Sequence, residues 1–246
     1  MRQEDLVQYL DDVGAATAWL KSLGVQHLRR AHGNLVGIAQ TGVTLDLLRE
    51  LGNQLSICLP VCSDPDMALN NLEHFVSSSR NPIGLVSLVE RDREALPILV
   101  QIFSTSQHLS DILIQDPESY DLLRITEGQP VTRQILVDEI CSEVSALPDI
   151  QTVMVALRRY KRREMLRVAY GDIIRGQGLE IVTQQISFVA DAICEAALRT
   201  AWRELAGKRG VPRGPAGEEA RIAILGLGKL GGNELNYSSD IDLMLL

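Results

Sequence analysis

Ile224-Leu225-Gly226-Leu227-Gly228-Lys229-Leu230-Gly231-Gly232-Asn233-Glu234-Leu235-Asn236-Tyr237-Ser238-Ser239-Asp240-Ile241-Asp242-Leu243-Met244-Leu245-Leu246 joins a glycine-rich turn to two carboxylates in an apolar run. Side chains alternate faces along a strand. A strand over 240–246 therefore sets Asp240 and Asp242 on one face, ~6.6 Å apart at ~3.3 Å per residue. Ile241, Leu243 and Leu245 then point the other way, into a core. Neighbouring carboxylates repel unless a cation relieves them. Mg²⁺ takes hard oxygen ligands and shares them with substrate phosphates, so Asp240 and Asp242 are the candidate catalytic and metal-binding residues. Glycines let backbone N–H groups approach a phosphate. Gly228, Gly231 and Gly232, with the Lys229 cation and the Ser239 hydroxyl, are the candidate nucleotide and phosphate contacts. Ser239 is equally suited to capping the strand. Glu234 and Asn236 are read as braces of the turn.

Two other phosphate motifs are excluded. Gly226-x-Gly228-x-x-Gly231 follows a strand, as a dinucleotide fingerprint does. That fingerprint needs an acid about 20 residues on, whereas Asp240 and Asp242 lie nine and eleven residues beyond Gly231. Lys229 is not a P-loop lysine, because Gly-x-x-x-x-Gly-Lys-[Ser/Thr] is absent.

The spacing is similar to that of polymerase-β-type nucleotidyltransferases, in which a Gly-Ser turn, about ten residues and Asp-x-Asp follow one another. Here Gly228-Lys229 holds the turn position and residues 230–239 separate it from Asp240. Lys in place of Ser departs from the general pattern and agrees with one branch. Gly-Lys-Leu-Gly-Gly-x-Glu-Leu-Asn-x-x-Ser-Asp-x-Asp-Leu resembles the signature of the glutamine synthetase adenylyltransferase/adenylyl-removing enzymes. Residues 68–75, 102–111 and 157–164 resemble the helical region before that motif, so the resemblance covers roughly 60–246. Residues 1–60 carry no functional signal.

The resemblance implies a mainly α-helical module followed by the start of an α/β polymerase-β-like nucleotidyltransferase domain. It also implies Mg²⁺ as cofactor, with ATP/ADP and phosphate as small-molecule partners. Glutamine synthetase and a PII-type signalling protein are the implied protein partners. Family enzymes carry two such domains. One removes AMP from a tyrosine of glutamine synthetase by phosphorolysis and the other attaches it. This chain looks like the N-terminal, adenylyl-removing copy. The attaching copy and a non-catalytic helical module that binds the synthetase or its regulator are the alternatives. The superfamily places a third carboxylate on a later strand, so the reading expects a fragment with an incomplete site.

Composition agrees with an enzyme of small phosphates. A net charge of −8 over 246 residues excludes a general nucleic-acid binder, which needs a basic surface. Aromatics at 4% leave few base-stacking platforms. Cys58, Cys62, Cys141 and Cys194 form no CxxC and read as buried thiols. The acidic start lacks a signal core, and no unbroken apolar run reaches the ~20 residues of a membrane span. The expected compartment is cytoplasmic, with no membrane partner.

Upstream of the motif the chain reads as helices over 1–206. Asp64-Pro65, Asn81-Pro82 and Asp116-Pro117 each offer a cap followed by Pro at the first helical position. Helical spacing predicts long helices over 149–174 and 179–205, parted by Gly176 and Gly178 and paired as a hairpin. The basic run Arg158–Arg163 spreads around a helix and reads as a solvated face paired with nearby Glu164 and Asp172. Residues 207–219, rich in Gly and Pro, form a loop. Residues 220–246 form the incomplete domain, with a buried strand over 221–225, a short helix over 231–235 and the second strand over 240–246.

Overall fold

The computed structural model describes residues 2–246, all but the side chain of Leu122. It is mostly helical, with one two-stranded sheet. The chain divides into two compact units, Met1–Ile125 and Thr126–Leu246. The sequence reading set no boundary within its helical region.

The first unit is built from α1 (Gln3–Asp11), α2 (Val13–Ser22), α3 (Leu28–Gln40), α4 (Leu45–Cys58), α5 (Pro65–Ser78), α6 (Pro82–Arg91), α7 (Ala95–Thr105), α8 (Gln107–Gln115) and α9 (Ser119–Thr126). Two Pro starts hold. Asp64 accepts the Met67 N–H and Asn81 accepts the Gly84 N–H, each ahead of Pro at the first position. The third is corrected. Asp116 ends α8, and three-residue bonds such as Ser119 N–H to Asp116 C=O (3.1 Å) occupy Pro117 and Glu118, so the regular helix starts at Ser119. In the core Phe75 meets Phe103 and Tyr120 edge-on, at 5.4 and 6.3 Å. Asn71 is fully buried. It donates to the Phe103 C=O (3.1 Å) and to Gln107 Oε1 (3.2 Å), and its own oxygen accepts from Gln107 (3.1 Å). A buried amide costs stability unless its bonds are met. Here α5, α7 and α8 meet them together.

The second unit is a helical bundle with a strand pair. It contains α10 (Arg133–Ser145), α11 (Ile150–Ile173) and α12 (Leu179–Arg209), then β1 (Ile224–Leu227), α13 (Gly228–Gly231) and β2 (Asp242–Leu245). Asp149 caps α11 through the N–H groups of Gln151 and Thr152. Leu136, Ile140, Val153, Tyr160, Val189 and Ala196 form the bundle core. By length and composition α12 is apolar enough to cross a membrane, although charged residues interrupt its apolar run. Here it packs against α10 and α11. It runs to Arg209, four residues past the expected end and into the expected 207–219 loop, because nothing before Gly210 (φ 82°) stops it.

The basic run is ion-paired, but of its two expected partners only Glu164 is met among the described residues, by Arg163 at 3.2 Å, whereas Asp172 accepts from Tyr237 instead. Arg159 meets Glu143 and Arg163 meets Glu139, both at 2.6 Å. One turn on, Glu164 and Arg167 are buried together at 2.7 Å, and Arg167 also donates to the Gln129 C=O at 2.7 Å.

The strands pair antiparallel, Ile224 with Leu245 through Leu227 with Asp242. Three expectations are corrected. β1 covers 224–227 rather than 221–225, and its residues are half-buried or exposed. The short helix covers 228–231 rather than 231–235. β2 starts at Asp242, and Ile241, Leu243 and Leu245 are 40%, 41% and 68% exposed rather than in a core. A two-stranded ribbon gives each face little to pack on, and the helices reach this segment chiefly through Leu230 and Leu235.

Candidate functional site

The turn between the strands is held from inside. Leu230 and Leu235 pack with Met165, Val168, Val182 and Ile186, which fastens the glycine motif to α11 and α12. The Leu235 N–H donates to the buried Ser187 hydroxyl at 3.2 Å. The Tyr237 hydroxyl donates to Asp172 Oδ2 at 3.0 Å. Burial, with the Asp172 charge adding to it, pushes the Tyr237 phenol well above its ordinary value.

The glycines serve the turn. A Cβ on Gly231 would stand 2.6 Å from the Gly226 carbonyl oxygen, so α13 lies directly against β1 only because that atom is missing. Gly228 has φ +55°, the left-handed region that turns β1 into α13. The Gly232 N–H donates to the Gly228 C=O at 3.2 Å, so a phosphate would compete with this turn bond for it. Asn236 braces the second half of the turn. Its Oδ1 accepts from the Ser238 N–H (3.1 Å) and the Ser239 hydroxyl (2.7 Å), and its N–H reaches the Ser239 oxygen (3.3 Å). Ser239 is thus engaged in the turn. Glu234 contributes its N–H to the Lys229 C=O at 2.8 Å.

The register brings part of the predicted site together. Asp242 stands across from Leu227, and its Oδ2 lies 3.8 Å from the point where a Cβ on Gly228 would be. The carboxylate therefore faces the entrance of the glycine turn. Asp240 precedes β2, so strand alternation does not set its direction. It lies just beyond the Asn236–Ser239 turn and borders a cavity of about 240 Å³. Asp240, Asp242 and Lys229 are all exposed, and none forms an ion pair among the described residues. Among the described residues no cluster of three or more His, Cys, Asp or Glu side chains stands ready for a metal. Two free carboxylates fit Mg²⁺, which keeps several waters and takes its remaining oxygens from a phosphate.

Sequence reasoning missed Leu230, Leu235 and Ser187, and it gave Asp172 to the basic run rather than to Tyr237. Ser187 and Leu235 are 48 residues apart, and no local pattern pairs them.

The family model for glutamate-ammonia ligase adenylyltransferase matches residues 96–246. Among curated proteins, a bifunctional glutamine synthetase adenylyltransferase/adenylyl-removing enzyme of Corynebacterium efficiens is 28% identical over 237 residues, 94% of this chain and 22% of that protein. Proteins with the same description from Shewanella frigidimarina and Hahella chejuensis are 31% and 32% identical, covering 76% and 65% of this chain and 19% and 17% of theirs. The chain thus spans about a fifth of the length of these relatives. The first of these similarities takes in much of residues 1–60, where the sequence carries no motif.

Proposed function

Since this chain belongs to the glutamate-ammonia ligase adenylyltransferase family, we propose that residues 220–246 open an α/β polymerase-β-like nucleotidyltransferase domain. The whole protein then removes AMP from a tyrosine of glutamine synthetase by phosphorolysis. The observation that carries this reading is the placement of the Asp242 carboxylate against the Gly228 turn. It sets an anion that can hold a cation beside backbone that can approach a phosphate.

Asp240 and Asp242 would hold Mg²⁺, which when bound neutralises charge on the reacting phosphate. Lys229, free of any carboxylate partner among the described residues, meets phosphate oxygens on the same turn. Gly228 leaves room for their approach. An oxygen of inorganic phosphate attacks the AMP phosphorus. The bond from phosphorus to the tyrosine oxygen breaks, the tyrosinate takes up a proton from water, and ADP leaves. The chain's part is positioning and charge.

The test supplies the intact enzyme with AMP-modified glutamine synthetase, phosphate and Mg²⁺. ADP release supports the reading. AMP transfer from ATP to the unmodified synthetase, without ADP release, assigns the chain to the attaching reaction. Neither activity in a folded protein contradicts both.

A further inference from the structure

We propose that the cavity beside Asp240 is a nucleobase subsite that takes the adenine of the nucleotide. This inference rests on the nucleotidyl-transfer reading above and names where the base goes.

The cavity holds about 240 Å³ and lies between α11, α12 and the segment 235–241. Its walls are largely apolar, with Met165, Ile186, Val189, Ala190 and Ile193 on the helices and Tyr237 on the loop. A concave, mostly apolar cleft with a few polar groups is the usual form of a small-molecule site. The mouth carries Asp240, Asn236 and Lys161. Lys161 is the member of the basic run that lines this cavity. Arg159 and Arg163 are spent on Glu143 and Glu139, whereas Lys161 has no ion-pair partner among the described residues. It is left to face the anionic part of a ligand.

Asn236 selects the kind of ring. Its oxygen is already used by Ser238 and Ser239, but its carboxamide NH₂ makes no hydrogen bond among the described residues. Only the donor is free. Adenine offers ring-nitrogen acceptors along its edge. The ring of an adenylylated tyrosine has no such acceptor, since its oxygen is esterified to phosphorus. The apolar walls suit either ring, and the free donor favours the base.

The test compares equilibrium binding of ADP with that of pyrophosphate, each with Mg²⁺, to the intact protein. Ala190→Trp fills the slot. Asn236→Asp keeps an oxygen for Ser238 and Ser239 and replaces the donor with a charged acceptor. Each change should weaken ADP binding by roughly tenfold or more, the scale of a misfit in an apolar site. Ala190→Trp should leave pyrophosphate binding unchanged. Asn236→Asp adds a charge that touches both ligands, so its ADP loss should exceed its pyrophosphate loss. Equal losses of both ligands, or no loss of either, overturn the assignment. So does a raised KM for the adenylylated target with ADP binding intact, which would give the slot to tyrosine. Should Asp242→Asn abolish ADP formation while Ala190→Trp leaves ADP binding untouched, the subsite alone fails and the transfer reading stands.

Discussion

Tyr237 donates a 3.0 Å hydrogen bond to Asp172 Oδ2, joining the loop ahead of Asp240 to the last turn of α11. The motif is therefore tied to α11, and a change at either residue should be felt at the other.

Tyr237→Phe removes that bond and leaves the ring. The expected loss is about 0.5–1.5 kcal/mol, read as a lower urea midpoint with an unchanged m-value. Because a carboxylate accepts the bond, Asp172→Asn should recover part of what Asp172→Ala loses.

The turn glycines should not respond alike. Gly231→Ala forces a methyl to 2.6 Å from the Gly226 oxygen, which is backbone and cannot step aside. A cost of about 1–3 kcal/mol is expected. The nearest atom to a Cβ on Gly232 is at 3.5 Å, in the Glu234 side chain. Gly232→Ala should therefore change stability by no more than about 0.5 kcal/mol. Thermal melts of the two variants side by side check the contrast.

Glu164→Ala should be the most damaging single change in α11. Glu164 and Arg167 are 5% and 3% exposed, and the change leaves the guanidinium buried without its counter-charge. Removing one partner of such a pair costs about 3–5 kcal/mol. Arg159→Ala, at a surface pair, should cost less than about 1 kcal/mol.

Alkaline pH should weaken the first unit. Burial pushes the Cys58 thiol from 9.0 up to about 11. The folded state therefore keeps its proton where the unfolded chain has lost it. The contribution is full below pH 9 and lost as pH rises through 11. Urea midpoints should fall between pH 9 and 11, and Cys58→Ala should flatten that fall.

How far the sequence could be read depended on how local each signal was. Asp64-Pro65 and Asn81-Pro82 carry cap and helix start within two residues, and both starts hold. The long helices α11 and α12 were legible because Val153, Tyr160, Val168, Val182, Ile186 and Val189 repeat with the helical period and are buried. The order of strand, turn and strand was legible as well. Their limits were not. The Gly228 backbone starts α13 early, and the Asn236–Ser239 turn delays β2 to Asp242. The residues that fix the motif in place, Leu230, Leu235, Ser187 and Asp172, act across long stretches of chain and show only in three dimensions.

The most direct measurement is ADP release from AMP-modified glutamine synthetase by the intact enzyme, with phosphate and Mg²⁺, for wild type, Asp240→Asn and Asp242→Asn. A fall of about 100-fold or more in both variants, with folding intact, is the predicted result, being the scale of losing a charge-positioning group. ADP release at the wild-type rate from either variant contradicts the assignment of these carboxylates.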